Sequence, residues 1–461
     1  MSAPVSLAVL VLAAGKGTRM KSESPKVLMP LLEEPLLSYP LRTLCGLGMD
    51  QVGVVVGHGG EQVVTYLNRS WPSARTIWQE EQKGTGHAVS VCRDWWRFFD
   101  HLLVLPGDVP LLSAQALVSL AEVHLNQSAE ATFLSIELDD PSGYGRVIRR
   151  GDSVRIVEHK DATDKERSVR EVNSGVYLFR TEWLAEALDA LSCDNVQGEY
   201  YLPDVLPLLA GKGRVVSSLW ARAEDLSGAN DPIQLAELGR VLRDRLLAAW
   251  MAAGVKCIDP SSVWIGPRVA LAPDIYLEPH VQLWGATEVG EGSRVGSFSV
   301  LRDARVGRFV DLVGHVRIED STLRDGVKAG PFTYIRGDAE LREEAFAGRF
   351  VEIKKSTIGP KAKVPHLSYI GDATVGEGTN IGAGTITCNY DGKDKHATSI
   401  GRECFIGSDT MLVAPLTVGD RAMTGAGSVI THDVPEGALA VARAKQRVIE
   451  GWWERKKDRK D

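Results

Sequence analysis

The stretch VWIGPRVALAPDIYLEPHVQLWGATEVGEGSRVGSFSVL, residues 263–301, decides the fold of the C-terminal half. A period of six residues separates its aliphatic positions, which are Ile265, Leu271, Leu277, Leu283, Val289, Val295 and Leu301. This period is typical of a solenoid in which each short strand forms one side of a coil and the aliphatic side chains stack inside. We therefore predict a left-handed parallel β-helix of hexapeptide repeats.

The same period returns further along this half, at Ile358, Val364, Ile370, Ile400, Ile406, Leu412 and Val418. Residues 331–357 and 387–399 interrupt it, and insertions in a solenoid project as loops from one face, which is often the functional face. We expect a loop at each interruption. The repeat alone is equally compatible with a spacer or an oligomerisation solenoid.

N-terminal to the repeat, the pattern changes at Asp231. Asp231-Pro232 begins a helical pattern that Gly254 ends, with apolar residues at Leu235, Leu238, Leu242, Leu246 and Ala249. Before it, apolar runs at 7–12, 52–56 and 102–105 alternate with amphipathic segments, as in a parallel sheet covered by helices. We predict a Rossmann-like domain over 1–230, a helical linker over 231–254, and the β-helix domain with a C-terminal tail over 255–461.

Composition limits the class of protein. The 461 residues are 44% hydrophobic and 25% charged, as in average globular domains, and their net charge of −7 argues against broad nucleic-acid binding. The six cysteines form no CxxC pair, which favours neither a disulfide framework nor a zinc site. No run approaches the ~20 apolar residues of a membrane span. We expect a cytoplasmic protein without nucleic-acid or membrane partners.

A glycine-rich turn follows the first apolar run. Gly15 and Gly17 would let backbone N–H groups close around a phosphate chain. Lys16, Arg19 and Lys26 would supply positive charge. An ordinary strand-to-helix connection is the alternative, and the Gly-Lys-Ser/Thr ending of a Walker A loop is missing. Three basic residues within twelve positions nevertheless favour phosphate binding.

Several motifs, taken together, resemble a known family. LAAGKGTRM (12–20) followed by SPK (24–26) is similar to the signature of sugar-1-phosphate nucleotidylyltransferases. QEEQKGTGHA (79–88), GDVP (107–110), GYGR (143–146), EHK (158–160), NSG (173–175) and GAN (228–230) follow in the family's order. With the C-terminal repeat, the combination resembles the bifunctional N-acetylglucosamine-1-phosphate uridylyltransferases/glucosamine-1-phosphate acetyltransferases over nearly the whole chain.

This resemblance implies two successive reactions that make UDP-N-acetylglucosamine. The C-terminal domain would transfer acetyl from acetyl-CoA to glucosamine 1-phosphate, and the N-terminal domain would then transfer uridylyl from UTP, releasing pyrophosphate. Arg19 and Lys26 are implied as catalytic, and Asp108 and Asn230 as Mg²⁺ ligands. The implied nucleotide- and sugar-binding residues are Leu12, Ala13, Ala14, Gly15, Lys26, Gln79, Gly84, Thr85, Gly145, Glu158, Asn173 and Asn230.

The implied uridylyl transfer fits the residues available. Because a sugar phosphate is already anionic, its attack on the α-phosphorus of UTP needs alignment and charge stabilisation more than a strong base. One carboxylate and one amide oxygen suffice for Mg²⁺, which keeps several waters. Each residue also has a plain alternative, since Asp108 could cap a turn and Asn230 could cap the following helix.

Further family motifs lie in and between the two interruptions. They are FTYIR (332–336), FVEIKK (350–355), HLSY (366–369) and NIGAGTITCNYDG (380–392). Acetyl transfer from a thioester to an amine needs a base, an anion site for the sugar phosphate and donors for the oxyanion. By resemblance, His366 is the base and Glu352 a partner that orients it or raises its basicity.

The resemblance also implies the ligand-binding residues of this second site. Arg336, Lys354 and Lys395 would hold the 1-phosphate, with Tyr369, Asn380 and Asn389 around the sugar. Acetyl-CoA would contact Ala383, Asn389, Tyr390, Ser408, Ala426 and Arg443. Related hexapeptide acyltransferases generally form trimers, so a homotrimer through the β-helix is implied.

Two other functions are compatible with this architecture. One is a single-function pyrophosphorylase with a structural β-helix, and the other is a non-catalytic assembly subunit. His366 and the NYDG segment are intact, which argues against the first. Arg19, Lys26 and Asp108 are all present, which argues against the second.

Overall fold

The computed structural model of the protein describes residues 6–15, 17–151 and 153–457. The chain divides into two compact units, Met1–Leu242 and Arg243–Asp461. Lys16 of the predicted phosphate-binding turn and the last four residues of the tail lie outside the described residues. Within the described part, no helix has both the length and the apolar character that crossing a membrane would need.

The first unit contains a mixed sheet. Its strands, in order across the sheet, are Val215–Leu219, Ala131–Glu137, Glu171–Arg180, His101–Pro106, Leu7–Leu12, Val52–Val56 and Arg75–Trp78. The strand Glu171–Arg180 is antiparallel to both neighbours, whereas the other pairings along this path are parallel. Arg146–Arg150 and Ser153–Val157 form a hairpin that pairs with the reversed strand. A short hairpin of Pro30–Leu31 and Glu34–Pro35 lies apart from this sheet.

Helices pack on both faces of this sheet. Val9 and Val11 belong to one apolar cluster with Leu120, whereas Ala8 and Leu10 belong to another. Alternate residues of a strand point to opposite faces, so both faces of the strand are buried, as in sheets with helical layers on each side. The helices are Ser38–Gly46, Gly60–Ser70, Thr85–Ser90, Arg93–Trp96, Ala114–Asn126, Asp164–Arg167, Leu184–Asp189 and Val205–Ala210. The predicted α/β architecture is confirmed, with one strand reversed.

The register of two central strands positions the candidate site. Leu7–Leu12 and His101–Pro106 are adjacent and parallel, with Leu12 opposite Pro106. Their carboxyl ends therefore deliver the glycine-rich turn and Asp108 to one edge of the sheet. Ligands of open α/β sheets bind at this kind of edge.

A helix occupies Pro232–Ala252, where the sequence predicts one. Asp231 Oδ1 accepts hydrogen bonds from the backbone N–H groups of Ile233 and Gln234, each at 2.9 Å, as an N-cap does. Gly254, at a φ of 101°, follows the helix end, where an L-residue would be strained. The two compact units divide inside this helix, between Leu242 and Arg243. The functional boundaries at 230 and 255 stay predictions.

The second unit is a left-handed parallel β-helix, as predicted. Each predicted aliphatic position from Ile265 to Leu301 is the buried residue of a short strand. Each of these strands pairs in parallel with the strand three places further along the chain, so a coil has three sides. The exposed helix Trp452–Lys457 follows the solenoid.

The strands form three sheets along the solenoid. The first contains Lys256–Cys257, Tyr276–Leu277, Arg294–Val295, Asp311–Leu312, Lys328–Ala329, Phe346–Arg349, Lys363–His366, Asn380–Ile381, Phe405–Ile406, Met423–Thr424 and Leu439–Ala440. The second contains Trp264–Ile265, Gln282–Trp284, Val300–Arg302, Val316–Glu319, Thr333–Arg336, Val351–Lys354, Tyr369–Gly371, Ile386–Cys388, Met411–Val413 and Val429–Ile430. The third contains Ala270–Leu271, Glu288–Val289, Arg305–Val306, Thr322–Leu323, Glu340–Leu341, Thr357–Ile358, Ala373–Val375, Thr398–Ile400 and Leu416–Val418.

One of the two predicted interruptions is wrong. Residues 331–357 continue the coil and form strands of all three sheets. The repeat is hard to recognise in the sequence because the small residues Ala329 and Ala347 fill core positions. In addition, the step from Leu301 to the next core residue, Val306, is five residues and not six. The second interruption is confirmed, since the chain leaves the coil between Ile386–Cys388 and Thr398–Ile400. We call residues 389–397 the insertion loop.

Candidate active sites

A cavity of about 610 Å³ opens at the predicted ligand edge of the first unit. Among the described residues, it is lined by all those predicted for the uridylyl site except Gly145. Gly145 lies directly behind the wall, because a Cβ at this position would come 3.1 Å from Glu158 Oε1. The lining residues from the prediction are Leu12, Ala13, Ala14, Gly15, Arg19, Lys26, Gln79, Gly84, Thr85, Asp108, Glu158, Asn173 and Asn230.

Three of these residues meet at one point of the cavity. The Lys26 ammonium donates to Asn230 Oδ1 at 2.8 Å and forms an ion pair with the Asp108 carboxylate. A carboxylate oxygen and an amide oxygen thus converge on one positive charge. This is a set that a hard divalent cation accepts, so the two predicted metal ligands fit such an ion. Asn230 does not cap the following helix through its side chain, because Asp231 does so.

The end of the cavity formed by Gly84 and Thr85 is held by a segment that the sequence did not single out. Gly84 has a φ of 101°, and a Cβ there would lie 2.6 Å from the carbonyl oxygen of Tyr200. Tyr200 accepts a hydrogen bond from the Gly86 N–H and donates its own N–H to Lys83, each at 2.8 Å. Thr85 Oγ1 accepts from the N–H of Leu202 at 3.0 Å. We call residues 195–202 the strap.

At the end of the cavity near Glu158, the strap also contacts the loop that carries this residue. The Asp161 carboxylate accepts from the Val196 N–H at 2.9 Å and from the Tyr201 hydroxyl at 3.3 Å. Burial raises the pKa of Glu158 to about 7, and the nearby carboxylates of Asp204, Asp161 and Glu199 add to this effect. This end of the cavity therefore contains a carboxyl group with a pKa close to neutral pH.

Sequence reasoning missed part of the cavity wall. Tyr177, Glu199, Leu202 and Pro203 line it without having been predicted. The Tyr177 hydroxyl accepts a hydrogen bond from Asn173 Nδ2 at 2.6 Å, so it orients a predicted residue. Tyr177 lies four residues after Asn173 on the same strand, and the pairing of this strand with its neighbour shifts register between them. No pattern in the sequence signals that shift.

In the second unit, neighbouring coils bring most of the predicted phosphate site together. Arg336 pairs in register with Lys354, and Glu352 pairs with Tyr369, on adjacent strands of the second sheet. Lys395 reaches the same place from the insertion loop, where the neighbouring Lys354 ammonium lowers its pKa. Two lysines held together in this way attract an anion.

The structure places Glu352 differently from the prediction. Its Oε1 accepts from Arg336 Nε at 2.9 Å and lies 2.7 Å from Arg336 Nη2, and no hydrogen bond joins it to His366 in the described part of the chain. His366 ends a strand of the first sheet, just before the corner at Leu367, whereas Glu352 lies in the second sheet. The Arg336 guanidinium is therefore the partner that the Glu352 carboxylate contacts.

The predicted acetyl-CoA residues lie mostly along one corner of the solenoid. Ala383, Ser408 and Ala426 follow successive strands of the first sheet, and their backbones are linked coil to coil. Asn380 begins the strand before Ala383, while Asn389 and Tyr390 begin the insertion loop. Arg443 is exposed and lies three residues after the last strand, Leu439–Ala440, whose Ala440 carbonyl accepts from the N–H of Gly425 beside Ala426.

Comparison with known proteins gives two kinds of similarity. The model of the MobA-like NTP transferase domain matches residues 9–198. The bifunctional protein GlmU of Streptomyces avermitilis is 47% identical over 99% of this chain and 96% of its own length. The bifunctional protein GlmU of Heliobacterium modesticaldum is 48% identical over 97% of this chain and 98% of its own length. The bifunctional protein GlmU of Fervidobacterium nodosum is 44% identical over 98% of both chains.

Proposed function

Because this chain belongs to the family of bifunctional GlmU proteins, we propose how its two units divide the two reactions of UDP-N-acetylglucosamine synthesis. The protein is an N-acetylglucosamine-1-phosphate uridylyltransferase and a glucosamine-1-phosphate acetyltransferase. Its family and its nucleotidyltransferase domain imply a divalent metal. We assign uridylyl transfer to the cavity of the first unit and acetyl transfer to the second unit.

The observation that carries the first assignment is the convergence of Asp108 and Asn230 on the Lys26 ammonium within a cavity of about 610 Å³. We assign Mg²⁺ as the metal, held by these two oxygens, where it would neutralise and align phosphate oxygens. Arg19 and Lys26 neutralise the triphosphate. Gln79, Gly84 and Thr85 hold the uracil, and the glycine-rich turn from Leu12 to Gly15 follows the phosphates.

The sugar phosphate then needs only to be held in line. Gly145, Glu158 and Asn173 bind the N-acetylglucosamine, so that a phosphate oxygen attacks the α-phosphorus of UTP. The bond between the α- and β-phosphates breaks, and pyrophosphate leaves. The attacking phosphate oxygen is already ionised, so no residue has to remove a proton from it. The charged groups of the cavity instead bind the phosphates and the metal.

The second assignment is carried by Arg336, Lys354 and Lys395, which gather positive charge on one face of the β-helix. They hold the 1-phosphate, and Tyr369, Asn380 and Asn389 surround the sugar. The free amine attacks the thioester carbonyl and His366 accepts the ammonium proton. The bond between the acetyl carbon and sulfur then breaks, the proton passes from His366 to the sulfur, and CoA leaves as the thiol. Glu352 acts through Arg336, because that is the group it contacts.

Acetyl-CoA lies along the corner of Ala383, Ser408 and Ala426, with Asn389, Tyr390 and Arg443 as further contacts. We also propose a homotrimer through the β-helix, by analogy with related hexapeptide acyltransferases. Light scattering would test the trimer, and a mass equal to a single chain would exclude it. The use of UTP and acetyl-CoA and the six free cysteines support a cytoplasmic location, which cell fractionation would test.

A coupled assay separates the two activities. Purified protein receives glucosamine 1-phosphate, acetyl-CoA, UTP and Mg²⁺, and free CoA and pyrophosphate are followed separately. His366→Ala should abolish CoA release and leave pyrophosphate release from supplied N-acetylglucosamine 1-phosphate unchanged. Asp108→Ala should abolish pyrophosphate release from supplied N-acetylglucosamine 1-phosphate alone. Pyrophosphate without CoA release in the wild type would reduce the β-helix to a scaffold, and no release of either product would favour a non-catalytic subunit.

A further inference from the structure

A chain of contacts on the second solenoid sheet ends at Arg336. We propose that Tyr334 is a positioning residue, which presents the Arg336 guanidinium to the phosphate of glucosamine 1-phosphate. This inference rests on the proposed acetyltransferase function of the second unit. The two residues share the strand Thr333–Arg336 and face the same side of the sheet, as alternate residues of a strand do.

Glu352 determines part of the Arg336 geometry. It accepts from Nε and lies within ion-pair distance of Nη2, at 2.9 and 2.7 Å, so one edge of the guanidinium is engaged. One N–H of Nη1 and the second N–H of Nη2 form another edge, at the end of the guanidinium, which matches two phosphate oxygens. A single carboxylate oxygen fixes where this edge lies but leaves the guanidinium plane free to tilt around the contact.

The Tyr334 ring supplies the missing constraint. Its centroid lies 5.4 Å from Arg336 Cζ, within the range of a cation–π contact. The ring is itself held from the coil below, because the Tyr334 hydroxyl donates to Glu319 and Glu319 is ion-paired with Arg317. Arg317 Cζ also lies 5.9 Å from the ring centroid. The ring is therefore held at its hydroxyl by Glu319 and has a second guanidinium within cation–π range of its centroid.

The contacts of Tyr334 lie outside the packed core of the solenoid. The core positions of the same strand are Thr333 and Ile335, which are buried, while Tyr334 and Arg336 are half-buried on the outer face. Removing the Tyr334 ring leaves the stacked aliphatic core intact. We therefore expect the change to weaken binding of the sugar phosphate and to leave binding of acetyl-CoA unchanged.

The test measures acetyl transfer by Tyr334→Leu, with Tyr334→Phe as the matched variant that keeps the ring. Tyr334→Leu should raise KM for glucosamine 1-phosphate about fivefold, the equivalent of a ~1 kcal/mol cation–π contact. Tyr334→Phe should raise it less than about twofold, and kcat and KM for acetyl-CoA should not change. In an Arg336→Ala background, Tyr334→Leu should have no further effect.

Several results would overturn the inference. They are an unchanged KM for glucosamine 1-phosphate in Tyr334→Leu, an equal rise in both KM values, or an undiminished effect in the Arg336→Ala background. Uridylyl transfer by the same preparation and the melting temperature show whether the variant is folded. An inactive wild type would contradict the proposed function itself, whereas an active wild type with an indifferent Tyr334 contradicts only the positioning role.

Discussion

The Lys26 ammonium donates a hydrogen bond to Asn230 Oδ1 at 2.8 Å across 204 residues of sequence. The same ammonium is ion-paired with Asp108. A lysine therefore stands between the two oxygens that we assign to the metal. We therefore expect Lys26 and the metal to compete for the Asp108 carboxylate until a bound triphosphate attracts the lysine.

Replacing Lys26 by Met should separate its two effects. Without the competing ammonium, Asp108 is free, and Mn²⁺ used as a probe should bind the substrate-free protein about tenfold more tightly, measured by electron paramagnetic resonance. Uridylyl transfer should fall by about a hundredfold or more, because the triphosphate loses a countercharge. Lys212→Met removes an exposed lysine that pairs with Glu186 and should change neither value. Unchanged Mn²⁺ affinity in Lys26→Met would argue against the competition.

Gly84→Ala should damage the end of the cavity that we assign to uracil. The new Cβ would meet the Tyr200 carbonyl at 2.6 Å, and the φ of 101° disfavours any L-side chain. The loop must then part from the strap, and we expect KM for UTP to rise about tenfold, for a strain of 1–3 kcal/mol. Gly48→Ala is the matched control, because Gly48 has a φ of 72° with open space around it. Equal effects of the two changes would show that backbone strain, and not the clash, is responsible.

Glu158→Gln should stabilise the first unit at high pH while lowering its activity. The folded protein holds the Glu158 proton up to a pKa of about 7, whereas the unfolded chain releases it near 4.5. Unfolding free energy therefore falls as pH rises between these values. Glutamine does not ionise, so the variant does not lose this stability as the pH rises. Its thermal inactivation temperature should exceed that of the wild type at pH 8 and equal it at pH 4. A difference that does not depend on pH would contradict the shift.

The buried pair of His101 and His124 should make the first unit sensitive to acid. Burial lowers the pKa of His124 from 6.5 to about 4, and the charges of His101 and Arg180 add to this effect. Below pH 6.5, His124 takes up a proton in the unfolded chain but stays neutral in the folded chain until the pH approaches 4. The free energy of unfolding therefore falls as the pH falls through this range. The loss is about 2 kcal/mol by pH 5.

His124→Gln tests this dependence. The variant loses contacts to His101 and Thr132, so it should be less stable than the wild type at pH 7. The difference should shrink as the pH falls to 5, because glutamine takes up no proton. The temperature at which uridylyl transfer is lost, measured at several pH values, gives both curves. Parallel curves would show that another group accounts for the acid sensitivity.

The amino-acid sequence by itself determined the architecture of both halves. The aliphatic positions from Ile265 to Leu301 repeat at short range, and each became the buried residue of a strand. The strands Leu7–Leu12 and Val52–Val56 were predicted to the residue, because apolar runs between turn residues are local signals. Most residues of the first cavity could also be predicted, through motifs that keep their order along the chain.

Only the tertiary structure decided which of these groups meet. Residues 331–357 stay in the coil because alanines fill the core there and a shortened turn is absorbed at a corner, which a strict period cannot reveal. Glu352 binds Arg336 and not His366, since the register of adjacent coils brings the guanidinium to the carboxylate. Lys26 stands between Asp108 and Asn230 because separate strand ends and loops deliver them to one edge. Local sequence patterns specify the helices and strands, whereas contacts between charged residues far apart in the sequence depend on the register of the whole fold.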